Sequence, residues 1–380
     1  MISFRGTAVN IPHPILGRIS VSAVSLVEAP HTIIIDPKMN NDARRNYKAS
    51  MFNSRQAFEK IHASALPALV CKRASEALKT GDVVEIFPDG KINVLYRIDS
   101  RHNIIFVTSR CNSRCIMCPQ PPEHKGKEFL CRNLQLIGLI DKSTKELALT
   151  GGEPTVLGDD LLKLIMACKQ LLPATSLLLL TNGRRFNDYS YTHLFSSLCH
   201  PDLTVAIPLY GDNDAEHDFV ARSKGAFNET VKGILNLAEF NTPMEIRTVI
   251  HRYTYRQLTR LSEFIYRNMT FVGHVVFMGL ETIGFGKNNL ESLWVEPEVI
   301  TDPLLEAVHH LQQRNIPVSI YNIPLCLLPP KLWSFARQSI SDWKNSFDSS
   351  CVNCSIKASC PGLFNRVLKY MESICRLLCN

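Results

Sequence analysis

The chain has 380 residues, 45% of them hydrophobic, enough material for one large domain and a smaller one. Its net charge of +7 comes from Lys and Arg scattered without a basic run, so no nucleic-acid partner is expected, and an acidic peptide or a cofactor carboxylate accounts for the charge equally well. Thirteen cysteines, an odd number gathered in two places, fit metal sites in a reducing compartment better than a disulfide framework, and a cytoplasmic location follows as an expectation.

In chain order, residues 1–98 carry one clear local signal. Val83-Val-Glu-Ile-Phe87, then Asp89-Gly90, then Ile92-Asn-Val-Leu-Tyr96 form a hairpin pattern, because Asp-Gly favours a tight turn between alternating strands. The region is expected to be a small β-rich domain, serving either packing or capture of a peptide by strand addition. From residue 99 the pattern alternates. Strands are expected at 104–108, 146–150, 176–181, 203–208, 244–250 and 275–278, with helices between them at 159–172, 226–240 and 256–268. Near-continuous apolar strands separated by amphipathic helices indicate a parallel sheet covered by helices. The most apolar stretch, Leu161–Leu180, is interrupted by Lys163, Lys169 and Pro173 and reads as a helix followed by a buried strand, so no membrane span is expected. The N-terminus shows no charged-then-apolar signal pattern.

Directly after the first of these strands stand Cys111, Cys115 and Cys118, a CxxxCxxC spacing. Three thiolates hold three corners of a [4Fe-4S] cubane and leave one iron open to chelation by an amine and a carboxylate, as S-adenosylmethionine provides. The alternatives are a zinc knuckle or three buried thiols. Zinc sites close with four ligands, usually in CxxC pairs, and the nearest candidates, His124 and Cys131, make no such pattern.

Behind the triplet, the strand Glu146-Leu-Ala-Leu-Thr150 runs into Gly151-Gly152-Glu153-Pro154. Together the two motifs resemble the radical S-adenosylmethionine (radical SAM) superfamily. The resemblance implies an α/β fold, a partial (β/α)6 TIM-like barrel whose strand C-terminal ends carry the chemistry. It implies Cys111, Cys115 and Cys118 as ligands of the SAM-binding cluster and reductive cleavage of S-adenosylmethionine to a 5'-deoxyadenosyl radical. Gly151 and Gly152 would admit the methionine part of the cofactor and Glu153 would take its ammonium. Asn182, Arg247 and Gly279 are further cofactor candidates at later strands; Asn182-Gly183 reads equally as a turn, and Arg247 as the partner of a core carboxylate. Met117 stands where the superfamily usually has an aromatic residue. The segment Ala206-Ile-Pro-Leu-Tyr-Gly211, followed by His217 and Gly225-Ala-Phe227, resembles its fourth-strand region without the serine often found there.

The second cysteine group is Cys326, Cys351, Cys354 and Cys360. Its spacing looks like the auxiliary-cluster region, of SPASM or twitch type, in radical SAM enzymes that modify peptides, and four thiolates would close a second [4Fe-4S] cluster; a zinc site with the same ligands is the alternative. Cys375 and Cys379 are spare or substitute ligands. Residues Ser100-Arg-His-Asn103, Phe106-Val-Thr108, the triplet loop, Gln120-Pro-Pro122, Asn322-Ile-Pro-Leu-Cys326 and Phe335-Ala-Arg-Gln-Ser-Ile340 resemble more closely the C-type radical SAM maturases of the His-Xaa-Ser repeat system. That implies a protein substrate with His-Xaa-Ser repeats, a second radical SAM maturase beside this one, and an external electron donor. The expected domains are 1–98, a radical SAM core at 99–315 and an auxiliary-cluster region at 316–380. A radical SAM enzyme for a small molecule and a non-catalytic iron-sulfur or zinc scaffold are the other readings.

Overall fold

The structure, a computed structural model, describes residues 2–36, 41–59, 65–123, 126, 128–338, 345–347 and 349–364. The chain divides into two compact units: residues 1–105, 129–147 and 166–175, and residues 106–128, 148–165 and 176–380. The helix Leu130–Leu139 therefore groups with the N-terminal residues, although it lies inside the segment expected to be the core.

The first unit is built on eight short strands: β1 (Ser3–Arg5), β2 (Thr7–Val9), β3 (Ile15–Ser20), β4 (Thr32–Ile35), β5 (Ala49–Phe52), β6 (Ala68–Val70), β7 (Val83–Ile86) and β8 (Lys91–Tyr96). Their order is β1-β8-β7-β3-β4-β5-β6-β2. Ile19, Ile33, Met51, Leu69, Val84, Ile86 and Ile92 form its dry core. The expected hairpin is β7–β8, with Ile86 facing Ile92. Both of its strands are paired on both sides, so neither is an edge to which a peptide can add. The sheet's two edges, β1 and β2, are consecutive in sequence, and the chain steps from one to the other at Gly6. There the backbone N–H of Gly6 donates to Gly90 O at 2.9 Å, and a side chain at Gly6 would strike Val70 O and, 2.7 Å away, Cys71 Cβ.

The other sheet contains β9 (Asn103–Phe106), β10 (Glu146–Thr150), β11 (Ser176–Leu180), β12 (Leu203–Pro208), β13 (Met244–Ile250), β14 (His274–Gly279), β15 (Val318–Tyr321) and β16 (Ala336–Arg337), in sequential order across the sheet. From β11 to β16 every neighbouring pair is parallel. This is the curled parallel sheet of a partial TIM-like barrel. One row of side chains, Val205, Ile207, Ile246, Val275, Phe277 and Ile320, is fully buried, while the alternate positions of β13 to β15 carry Glu245, Arg247, His274, Ser319 and Tyr321. Two strands extend the six expected ones and carry the sheet past residue 315. Val318-Ser-Ile-Tyr321 is four residues with a serine and β16 is two, too short and too polar to make an apolar run. Among the described residues no helix is long and apolar enough to cross a membrane.

Candidate cluster and cofactor site

The cysteine loop follows β9 and lies in the second unit. Its backbone is held from several sides. Arg114 N and Ile116 N donate to Ala221 O (3.1 Å) and Val220 O (2.9 Å) at the end of the helix Asp214–Ala221, Phe285 N donates to Cys118 O at 2.8 Å, and Asn289 Nδ2 donates to Ile116 O at 2.7 Å. That helix is fixed at its start by Asn213, whose Oδ1 accepts from Glu216 N at 3.0 Å. Arg184 adds a clamp that the sequence did not signal. Its Nη1 donates to Asn112 O (2.7 Å), Ser113 Oγ (2.9 Å) and Ser223 Oγ (2.8 Å), while its Nε pairs with Glu229 at 2.6 Å.

Burial pushes the Cys111 and Cys115 thiols up to about 12, with the neighbouring thiols adding to the shift, and raises Cys118 as well. A metal binding here must therefore displace protons and compensate buried negative charge. Part of that compensation is preset: Ser113 N donates to Cys111 Sγ at 3.3 Å, and the Gln120 backbone donates to Cys118. Among the described residues no three His, Cys, Asp or Glu side chains are gathered tightly enough for a single metal ion; a cubane takes each thiolate on a different iron and does not require that. Three mutually interacting thiols with N–H groups aimed at sulfur are a donor set that fits such a cluster.

The Gly-Gly-Glu turn is stitched directly onto this loop. Gly152 N donates to Thr108 O (2.8 Å) and Glu153 N to Arg110 O (2.7 Å). Side chains at either glycine would collide with the backbone, of Thr108 for Gly151 and of Arg110 for Gly152. Glu153 itself is 1% exposed. Its Oε1 accepts from Thr155 N (2.9 Å), Thr155 Oγ1 (2.6 Å) and Thr181 Oγ1 (2.6 Å), and its Oε2 from Asn182 N (2.6 Å). The carboxylate thus ties the end of β10 to the end of β11, and only Oε2 keeps acceptor capacity to spare. Asn182 is both turn and bridge: Gly183 after it has φ +76°, and Asn182 Nδ2 reaches Asn112 Oδ1 in the cysteine loop at 2.6 Å.

The later candidates are placed differently. Arg247 pairs through Nε with buried Glu245, which also binds His274 Nδ1 at 2.7 Å, while its Nη2 is buried without a hydrogen-bond partner and its guanidinium lies 5.7 Å from the Tyr321 ring centroid. The carboxylate-pairing alternative is therefore present in the structure. Gly279 is crossed by the Asn322 backbone, whose O would stand 2.6 Å from a Cβ there, so its smallness serves strand packing. Met117 is buried with Ile116, Tyr210, Val220, Leu280, Leu290 and Leu293, a cluster against which Cys115 packs.

In the C-terminal group, Leu325 N and Gly362 N each donate to the buried Cys360 Sγ at 3.4 Å, which brings Cys360 to the turn that carries Cys326. Trp333 Nε1 braces that turn through Leu325 O (3.0 Å) and Leu328 O (2.9 Å). Cys351 lies in the short 3-10 stretch Ser349–Asn353 and Cys354 directly after it, between the strands of the antiparallel pair Asn345–Ser346 and Leu363–Phe364 in sequence. Cys375, Cys379, His124, Ser339 and Ile340 lie outside the described residues.

With this geometry in place, comparison with known proteins agrees on the class. Residues 105–265 match the family model of the radical SAM superfamily, so this segment is a radical SAM domain. The superfamily implies a SAM-binding [4Fe-4S] cluster and S-adenosylmethionine as cofactors. The chain is similar to the GTP 3',8-cyclase of Petrotoga mobilis (28% identity over 153 residues, 38% of this chain and 46% of that one). It is also similar to the sporulation killing factor maturation protein SkfB of Bacillus subtilis (25% over 226 residues, 55% of this chain and 50% of that one). It thus spans about half the length of these relatives. Among solved structures, Streptococcus suis SuiB bound to S-adenosylmethionine aligns with a TM-score of 0.47 at 15% identity, over 57% of this chain and 49% of that one.

Proposed function

We propose that this chain is a peptide- or protein-modifying radical SAM enzyme, whose substrate is a polypeptide with His-Xaa-Ser repeats. The observation that carries the enzymatic part is the direct backbone stitching of Gly152 and Glu153 onto Thr108 and Arg110, which sets a cofactor-type turn against three half-buried thiols. In this reading Cys111, Cys115 and Cys118 hold the cluster, Gly151 and Gly152 admit the methionine moiety, Glu153 Oε2 takes the ammonium, Asn182 borders the site and Arg247 offers its unpaired Nη2 to the carboxylate. When bound, the cluster and cofactor supply reductive sulfonium cleavage, which yields a 5'-deoxyadenosyl radical. The chain's own residues orient the ligands and limit their contact with water, since the carboxylate is buried, the thiols are half-buried and both are tied by named hydrogen bonds.

The peptide part is supported by Cys326, Cys351, Cys354 and Cys360 as ligands of an auxiliary [4Fe-4S] cluster, and by the likeness to a protein named for peptide maturation. A second radical SAM maturase and an external reductant complete the proposed system in the cytoplasm. The likeness to a GTP cyclase favours a nucleotide-like small molecule as the second reading. Co-expression with a His-Xaa-Ser repeat protein, followed by mass spectrometry, decides between them. A mass change on the repeat protein that requires Cys111, Cys115 and Cys118 is expected. An unmodified repeat protein beside an enzyme that cleaves S-adenosylmethionine would overturn the substrate assignment.

A further inference from the structure

Tyr210 stands two residues beyond β12 in the buried cluster against which Cys115 packs, and its hydroxyl faces the Cys115 sulfur as a donor. The ring is buried in the apolar group that includes Ile116, Met117 and Val220. It is held in two further ways. The His217 ring stacks on it with centroids 5.3 Å apart and planes 28° from parallel, and His217 Nδ1 accepts from Tyr210 N at 3.2 Å. His217 belongs to the same helix, Asp214–Ala221, whose last carbonyls bind Arg114 N and Ile116 N. Phenol, imidazole and cysteine loop are therefore one assembly, with the O–H aimed at a single sulfur.

A hydrogen bond to a ligand sulfur draws negative charge from it. Reduction adds an electron to the cluster, so such a bond stabilises the reduced state more than the oxidised one and raises the reduction potential. In a dry surrounding the effect is larger than in water, because nothing else screens the sulfur. We propose that Tyr210 sets the reduction potential of the cluster held by Cys111, Cys115 and Cys118, through its hydroxyl on the Cys115 sulfur and with His217 fixing the ring. This rests on the assignment of that triplet to the cluster. Tyr210 is a positioning and tuning residue and takes no direct part in cofactor chemistry.

The test is an anaerobic redox titration of the reconstituted full chain, followed by electron paramagnetic resonance. The signal that changes on adding S-adenosylmethionine identifies the open-iron cluster. Tyr210→Phe keeps the ring and removes the donor. It is expected to retain the iron of the wild type and to shift the midpoint of that signal to more negative potential. Replacement of Tyr210 by 3-fluorotyrosine, a stronger donor, is expected to shift it the opposite way, and it decides the matter even where the phenylalanine variant loses iron. Midpoints equal to wild type in an iron-replete variant overturn the proposal. A wild-type chain that binds no cluster at the triplet overturns the functional assignment itself, a result separate from the first.

Discussion

The two cysteine groups differ in what holds them. The triplet loop is fixed by backbone bonds to a capped helix, to the Gly-Gly-Glu turn and to the segment after β14, and its thiols are half-buried before any metal arrives. The C-terminal group rests on local 3-10 turns and on two N–H donors to Cys360. Prebuilt scaffolds of the first kind keep their shape when ligands are removed, whereas the second kind draws its order from the bonds it makes to metal. In the proposed reading the first site keeps an open coordination position and the second is closed by four thiolates.

The strongest test of this contrast removes each group in turn. Replacing Cys111, Cys115 and Cys118 together by Ala is expected to eliminate one of two clusters, about four of eight irons, and all production of 5'-deoxyadenosine, with the circular dichroism spectrum retained. Full iron content in that variant would refute the ligand assignment. Substituting Cys351 and Cys354 by Ala is expected to leave dithionite-driven 5'-deoxyadenosine formation measurable and to abolish modification of the repeat protein. Loss of cofactor cleavage as well, in a variant shown to be folded, would give the second cluster an electron-transfer role.

A finer test concerns Glu153, which in the proposed reading serves two purposes. Glu153→Gln puts an amide among four donors, so a loss of about 1–3 kcal/mol in stability is expected from the broken tie between β10 and β11. Binding of S-adenosylmethionine should weaken by roughly 1.5–3 kcal/mol, the worth of a charge-assisted hydrogen bond. Iron content should not change. A lowered melting temperature with unchanged calorimetric affinity would leave Glu153 as a strand tie alone.

The smallest effect tests the scaffold. His251, fully buried just beyond β13, accepts from Tyr253 N at 3.2 Å and is pushed down to about 4 by burial. Between that value and its unfolded value of about 6.5 the unfolded chain binds the extra proton, so stability rises with pH across this window and falls as pH drops. A loss on the order of 2 kcal/mol between pH 7 and pH 5 is expected from this group. His251→Gln should lower the slope of that part of the pH profile in chemical denaturation, leaving the share of His217, which burial also pushes down to about 4, and an unchanged slope would remove His251 as a source.

Much of this was legible in sequence because it depends on spacing. CxxxCxxC, the glycine pair and the apolar strands β10 to β14 are patterns within one short stretch each. What could not be read depends on distant pairs. Arg184 and Asn112, or Thr181 and Glu153, meet only because parallel strands bring their C-terminal ends side by side, and an arginine or threonine carries no mark of that in its neighbours. The carboxylate environment of Glu153 was missed for the same reason. Tyr210 and His217 stood in a noted segment, but the ring stack and the contact to Cys115 arise from the turn between β12 and the following helix. β15 and β16 escaped because short, partly polar strands imitate loops.

The step at Gly6 has a consequence for synthesis. Within this unit β1 and β2 come first in the sequence and find their partners in β8 and β6. β1 can take its place in the sheet only after Lys91–Tyr96 has been made. Such long-range pairing is slow and leaves interim edges exposed. Once β1 docks, the finished sheet has the same few residues sealing both of its sides, so one early segment acts as the closing latch of its whole unit.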